Sequence, residues 1–357
     1  MERISLNGEW QGKCIGGFDF KAHVPGCTIT DLIENGYLTK DLLVGKNADD
    51  AQRFERNDWV YTKSFFVEEV LDKTELKFER IDTYADIYLN GELVAKTENG
   101  NIAYVFDVSK IVRKGENTLE VRLYSPITKV DGMPPRVGAF TVERMYTRRT
   151  QCTYGWDWTA RFVSCGIGST ELVCLKKEEI LAENVYIYTE KVQDGTAFVK
   201  IEAEFEKHLA KALTLEILSD SGEVVYKEVI NVKGNRHDAL IKLENAKLWY
   251  PVGYGEQPLY VLRIKDGDFI SSEERFGVRT VEVLEIKDEK GSLNYQKCLQ
   301  IKNPEMDLNE EFSCFTLVVN GIKIMCKGAN WVPCQPYEMP GKEEKLQKPW
   351  SFLLKWA

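Results

Sequence analysis

The sequence predicts a mostly β protein, with two antiparallel sandwiches in series and a third segment of different texture after them. Three observations predict it. Apolar and polar residues alternate with a period of two along much of the chain, as half-buried strands require. Gly, Asn, Asp and Pro bound these runs, so the strands are short and turned. Runs with the helical period of about 3.6 residues are nearly absent; the only helix of any length is expected at 342–357, where Pro349 confines or kinks it.

The first strands are read at 59–67 and 85–89. Asn90-Gly91 then supplies the two positive-φ positions of a tight hairpin and turns the chain into 92–95. Further strands at 118–124 and 169–175 complete an antiparallel sandwich over 1–178. The polar run Lys176-Lys177-Glu178-Glu179 interrupts the pattern and marks a boundary. A second set follows at 185–188, 197–201, 213–218 and 259–264, joined by Asp220-Ser221-Gly222 and Asp266-Gly267-Asp268. About a hundred residues of short strands suit an immunoglobulin-like sandwich over 179–280. In the last segment, 281–357, a polar stretch near 285–311 precedes a second Asn-Gly hairpin at Asn320-Gly321.

A chain of 357 residues with 43% hydrophobic and 29% charged residues is long enough for two or three domains and apolar enough to fold. Its net charge of -9, without a compact Lys/Arg stripe, argues against nucleic acid as a partner. No stretch approaches the roughly 20 apolar residues of a membrane span, so no membrane association is expected. Met1-Glu2-Arg3 runs straight into Ile4-Ser5-Leu6-Asn7-Gly8, without the apolar core of a secretory signal. Nine scattered cysteines, an odd number, then fit reduced thiols and a cytoplasmic location. No Cys-x-x-Cys occurs and the three histidines lie far apart, so no metal and no cofactor is expected.

The segment richest in chemistry is Tyr154-Gly155-Trp156-Asp157-Trp158, preceded by Arg148-Arg149-Thr150-Gln151. Two indoles around a carboxylate offer flat apolar faces for sugar C–H surfaces and an acceptor for sugar hydroxyls. The alternative is structural: both tryptophans lie in the core, where large aromatics usually sit, and Asp157 caps a turn.

Arg-x-x-Gln-x-x-Tyr-Gly-Trp-Asp-Trp resembles the signature that β-mannosidases of glycoside hydrolase family 2 carry at the end of their sugar-binding-type jelly-roll domain. Five further segments match in order. Val24-Pro25-Gly26-Cys27 with Thr30-Asp31-Leu32, Asp58-Trp59-Val60-Tyr61 and Asp82-Thr83-Tyr84-Ala85-Asp86-Ile87-Tyr88-Leu89-Asn90-Gly91 resemble that domain. The stretch from Leu248-Trp249-Tyr250-Pro251 to Gln257-Pro258-Leu259-Tyr260 resembles the end of the family's sandwich domain. Val319-Asn320-Gly321 with Lys327-Gly328-Ala329-Asn330-Trp331-Val332-Pro333 looks like entry into its (β/α)₈ barrel. There are departures. Thr159-Ala160-Arg161 stands where the family has Gly-Pro-Arg, and Cys334-Gln335 where it has Ala-Asp.

The resemblance implies a galactose-binding-like jelly roll at 1–178, an immunoglobulin-like sandwich at 179–280, and the start of a catalytic barrel at 281–357, cut short at Ala357. It implies a retaining exo-glycosidase for terminal β-D-mannosyl residues, with a β-mannoside or related oligosaccharide as partner. Both catalytic carboxylates arise later in the family's barrel, so no catalytic residue is expected here and the chain alone is expected to be inactive. Asn309-Glu310 reads as a solvated loop in an acidic stretch rather than as a catalytic acid. Trp156, Asp157 and Trp331 are the substrate-binding candidates. The apolar strand at 322–333 is expected to pack on the sandwiches, pair with a second chain in an oligomer, or lie disordered. A stand-alone carbohydrate-binding or scaffolding protein, and a family 2 hydrolase for another β-hexoside, are the competing readings.

Overall fold

The structure, a computed structural model, describes residues 1–135, 141–301, 312–330, 332 and 337. The described residues divide into two compact units, the first comprising 1–178 with 332 and 337 and the second 179–330.

In the first unit two antiparallel sheets enclose one apolar core. The four-stranded sheet runs Glu2–Ser5, Thr170–Leu175, Lys73–Phe78, Tyr104–Asp107. The six-stranded sheet runs Asp19–Val24, Gly8–Cys14, Trp59–Val67, Gly115–Tyr124, Tyr84–Leu89, Glu92–Thr97. Alternation sets which side chains enter the core: every second residue of Asp19–Val24 is buried. Trp59, Tyr61, Leu76, Phe78, Ile87 and Leu119 fill the space between the sheets. A small third sheet of Gly26–Cys27, Gly166–Ile167 and Ile81–Asp82 places Asp82 inside the domain.

The Asn90-Gly91 turn forms with both residues at positive φ, 52° and 84°. The Asn90 side chain donates to Asn117 Oδ1 at 2.8 Å and accepts from Thr118 N at 3.0 Å, which fixes the hairpin on its neighbouring strand. Asp31 is fully buried and accepts the Tyr61 hydroxyl at 2.6 Å and the His23 amide at 3.0 Å. The Thr30-Asp31-Leu32 segment is thus a structural lock, because a buried carboxylate must be hydrogen-bonded.

The second unit differs in detail from the expected short strands. The runs at 197–201 and 213–218 belong to one strand, Thr196–Leu218, because no Gly, Pro, Asn or Asp lies between them to turn the chain. A register shift between Glu204 and Leu209 interrupts its pairing instead. Its first half is flanked by Ala182–Gln193, its second by Tyr260–Asp266, and Val224–Leu243 follows both halves. Val199 and Ile201 from the first half share one buried cluster with Leu215, Ile217, Leu262 and Ile264, so the strand serves two packed layers.

Beyond 280 the hairpin expected at Asn320-Gly321 forms, and the structure adds a strand beside it. Val281–Lys287 forms a strand, exposed at every position, which pairs antiparallel with Ser313–Val319; that strand pairs in turn with Ile322–Ile324. Ile322–Ile324 therefore takes its partner from its own hairpin, and Asn320 and Gly321 turn it at φ 50° and 78°. Asn320 accepts from Thr280 N at 2.9 Å and donates to Trp249 O at 3.0 Å, which ties this sheet to the Leu248-Trp249-Tyr250 segment.

The described residues hold helices that the period of apolar residues does not mark. Thr28–Glu34 and Leu293–Ile301 are helical, the latter inside the stretch read only as polar. The Ser292 hydroxyl accepts the Tyr295 amide at 3.2 Å, so a cap rather than an apolar stripe marks the second helix. The helix expected at 342–357, Asn309-Glu310 and Trp331 lie outside the described residues.

Candidate functional site

The segment with the tryptophans is a hairpin sewn into the first unit at its root. Gly100 N donates to Arg148 O at 2.7 Å, and Phe162 N to Thr153 O at 2.8 Å. Gln151–Tyr154 makes a 3₁₀ turn, which Gly155 ends with φ 97°, a conformation costly for any residue with a Cβ. Trp156 and Thr159 then exchange backbone hydrogen bonds at 3.1 and 3.4 Å, leaving Asp157 and Trp158 at the tip of a two-residue turn.

Beneath this turn lies a buried charge network. Arg149 is 2% exposed, and its Nη2 donates to Asp82 Oδ2 at 3.0 Å. Burial works against the Arg149 charge, but the Asp82 carboxylate together with Tyr154 and Cys165 outweighs it, so the guanidinium is held cationic. The Thr83 hydroxyl donates to the other Asp82 oxygen. Arg80 Nη2 stands 4.0 Å from Asp82 Oδ2 and donates to Thr150 Oγ1 at 2.8 Å. Tyr154, also buried, shares a hydrogen bond with Thr147 at 2.6 Å, and the guanidiniums of Arg149 and Arg161 lie 5.5 and 5.6 Å from its ring centre.

Arg161 Nε donates to both Glu55 oxygens, at 3.1 and 2.9 Å, and its Nη2 lies 3.5 Å from Glu143. Burial pushes the Glu55 carboxyl up, and Arg161 only partly holds it down. Two carboxylates thus meet here, but a guanidinium stands between them and Glu55 is 8% exposed. A retaining glycosidase needs a pair facing the sugar, about 5–5.5 Å apart. Glu55 and Glu143 instead form a brace.

The tip is open. Trp156 and Trp158 are 39% and 37% exposed, and Asp157 is exposed with no hydrogen bond or ion pair to a described residue. The Arg144 guanidinium stacks 4.0 Å from the Trp156 ring centre, which orients that indole. Neither tryptophan is a core residue, and Asp157 caps nothing. The structure brings Trp156 and Asp157 together; Trp331 lies outside the described residues. Among the described residues no His, Cys, Asp or Glu cluster could hold a metal ion.

Sequence reading missed Arg149, Asp82, Glu55, Arg161 and Arg144. Arg149 and Asp82 both lie in segments singled out above, yet 67 residues separate them and only the fold reveals their pairing. Arg161 was legible, since it is the part of Gly-Pro-Arg that Thr159-Ala160-Arg161 keeps.

Two β-sandwiches follow one another along the chain, with an exposed aromatic–carboxylate turn near the end of the first. Residues 9–169 match the family described as glycosyl hydrolase 2 galactose-binding domain-like, and residues 180–279 match glycosyl hydrolases family 2. A β-mannosidase of Bos taurus is 27% identical over 94% of this chain and 39% of its own length. β-Mannosidase B of Emericella nidulans is 26% identical over 87% of this chain and 36% of its own. The crystal structure of a β-D-mannosidase from Dictyoglomus thermophilum superposes with a TM-score of 0.81 at 32% identity, covering 97% of this chain and 42% of that one. A β-glucuronidase from Bifidobacterium dentium, 21% identical with a TM-score of 0.58, shares the fold. The chain belongs to glycoside hydrolase family 2 and is β-mannosidase-like. It spans about two fifths of the length of the β-mannosidases it matches.

Proposed function

We propose that these domains are the N-terminal, substrate-reading part of a retaining exo-glycosidase that acts on terminal β-D-mannosyl residues of oligosaccharides. The observation that carries this reading is the Trp156–Thr159 turn, which exposes two indoles and a carboxylate on a base of buried ion pairs. A rigid base matters because recognition groups must be held near their working geometry before the sugar arrives. Asp157 would accept a hydroxyl, Trp156 would cover an apolar face of the sugar, and Trp331 would line the same subsite from the start of the barrel. In family 2 the acid/base and nucleophile both arise in that barrel, so residues 1–357 alone are expected to leave an aryl β-mannoside intact. The thiols, scattered and odd in number, support a cytoplasmic setting within the same proposal.

The test is to supply the barrel by fusion to the C-terminal part of a β-mannosidase and assay aryl β-mannoside, β-glucuronide and β-galactoside. Turnover of the mannoside alone supports the reading; preference for another hexoside overturns the sugar but keeps the family. A stand-alone carbohydrate-binding protein is the second reading, favoured by the same exposed tryptophans. It predicts glycan-array binding by the unfused chain, with no gain of hydrolysis on fusion.

A further inference from the structure

We propose that the galactose-binding-like domain carries a second carbohydrate site, a groove at one end of its four-stranded sheet that takes a segment of a neutral oligosaccharide. Two cavities of about 390 and 290 Å³ open side by side there, with Glu79 and Ala103 in the walls of both. Small-molecule sites occupy roughly 300–1,000 Å³. No residue of the Trp156–Thr159 turn lines either cavity, so the proposal does not depend on the role given to Trp156 and Asp157.

The wall holds polar groups without partners. The carboxylate of Glu79 and the side-chain amide of Asn101 make no hydrogen bond or ion pair to a described residue. Arg80 spends its Nη2 on Thr150. An unengaged acceptor and an amide that can both give and take form a mixed set, which hydroxyl groups can satisfy because each is donor and acceptor together. Glu79 and the net charge of -9 disfavour an anionic ligand. Ile102, 47% exposed, and the ring of Tyr104 add apolar surface for C–H faces.

Two glycines shape this wall. A Cβ on Gly168 would come within 3.0 Å of Arg80 N, and one on Gly100 within 2.9 Å of Asp82 Oδ1. The chain can therefore lie close over Arg80 and Asp82, and the groove is built on the same buried network that holds the turn.

Calorimetric titration of the full chain with β-1,4-mannotriose tests the proposal, the sugar being chosen because the sequence relatives are β-mannosidases. Saturable binding is expected in the wild type and in Asp157→Ala. The double variant Glu79→Ala/Asn101→Ala should weaken it tenfold or more with unchanged thermal melting. Ile102→Arg, at an exposed position, should do the same by blocking the groove, and it serves if the double variant folds poorly. No saturable binding by the wild type overturns the proposal. So does wild-type affinity in both groove variants, and so does loss of binding in Asp157→Ala, whether or not the groove variants also lose it.

Discussion

Arg149 and Asp82 meet at 3.0 Å where water does not reach, with their side chains 0% and 5% exposed. Burying two charges costs several kcal/mol per ion, so the pair holds because each charge offsets the other, although Arg149 Nε and Nη1 are buried without a hydrogen-bond partner. Removing one leaves an uncompensated charge. Arg149→Met should therefore destabilise the first unit by about 3–5 kcal/mol in urea unfolding, and Arg149→Met/Asp82→Leu should regain much of that loss. Equal instability of the single and double variants would mean that the pair does not act as a unit.

Glu75 should shape the acid side of the stability curve. Burial alone would raise its carboxyl, but Lys73 at 2.5 Å and Lys77 at 2.8 Å more than offset burial and hold it below the usual carboxylate range. A depressed folded-state value stabilises above the unfolded value of about 4.3. That contribution is lost as pH falls through the folded-state value. Glu75→Gln should flatten the acid limb of stability against pH and leave its shape above neutrality unchanged. Glu55 works in the opposite sense, its raised carboxyl favouring the fold below the unfolded value and losing that contribution as pH rises through the folded one.

The cysteines should separate by reactivity. Burial pushes the Cys27 thiol up to about 11, and it drives the Cys165 thiol up as well. Cys314 and Cys326 are exposed. Since the thiolate is the nucleophile, iodoacetamide at pH 8 should label Cys314 and Cys326 in the native protein. Cys27 and Cys165 should react only after unfolding, and peptide mapping by mass spectrometry reads the order.

What the sequence revealed followed the physics of local pattern. Period-two alternation and Asn-Gly turns marked 59–67 and the 85–95 hairpin because half-buried strands and positive-φ turns leave their mark residue by residue. The long strand Thr196–Leu218 was cut in two because polar residues at 206–208 resemble a break, although none of them turns a chain. Leu293–Ile301 carries no helical period because, among its side chains at 293–300, Tyr295 alone is buried. At the site, Trp156 and Asp157 were legible as a local motif. The Arg149–Asp82 and Arg161–Glu55 pairs were not, because they join distant segments and no spacing rule links them.

The central claim is that the Trp156–Thr159 turn reads the sugar, and Asp157→Ala in a barrel-complete fusion tests it most directly. A charged hydrogen bond to a hydroxyl is worth about 1.5–3 kcal/mol. Its loss should lower kcat/KM for 4-nitrophenyl β-D-mannoside roughly 10–150-fold. Thermal stability should stay within about 0.5 kcal/mol of wild type, because the exposed carboxylate has water as its other partner. Unchanged kcat/KM of the folded fraction, or unfolding with that activity intact, would contradict the account and leave Asp157 a purely structural residue.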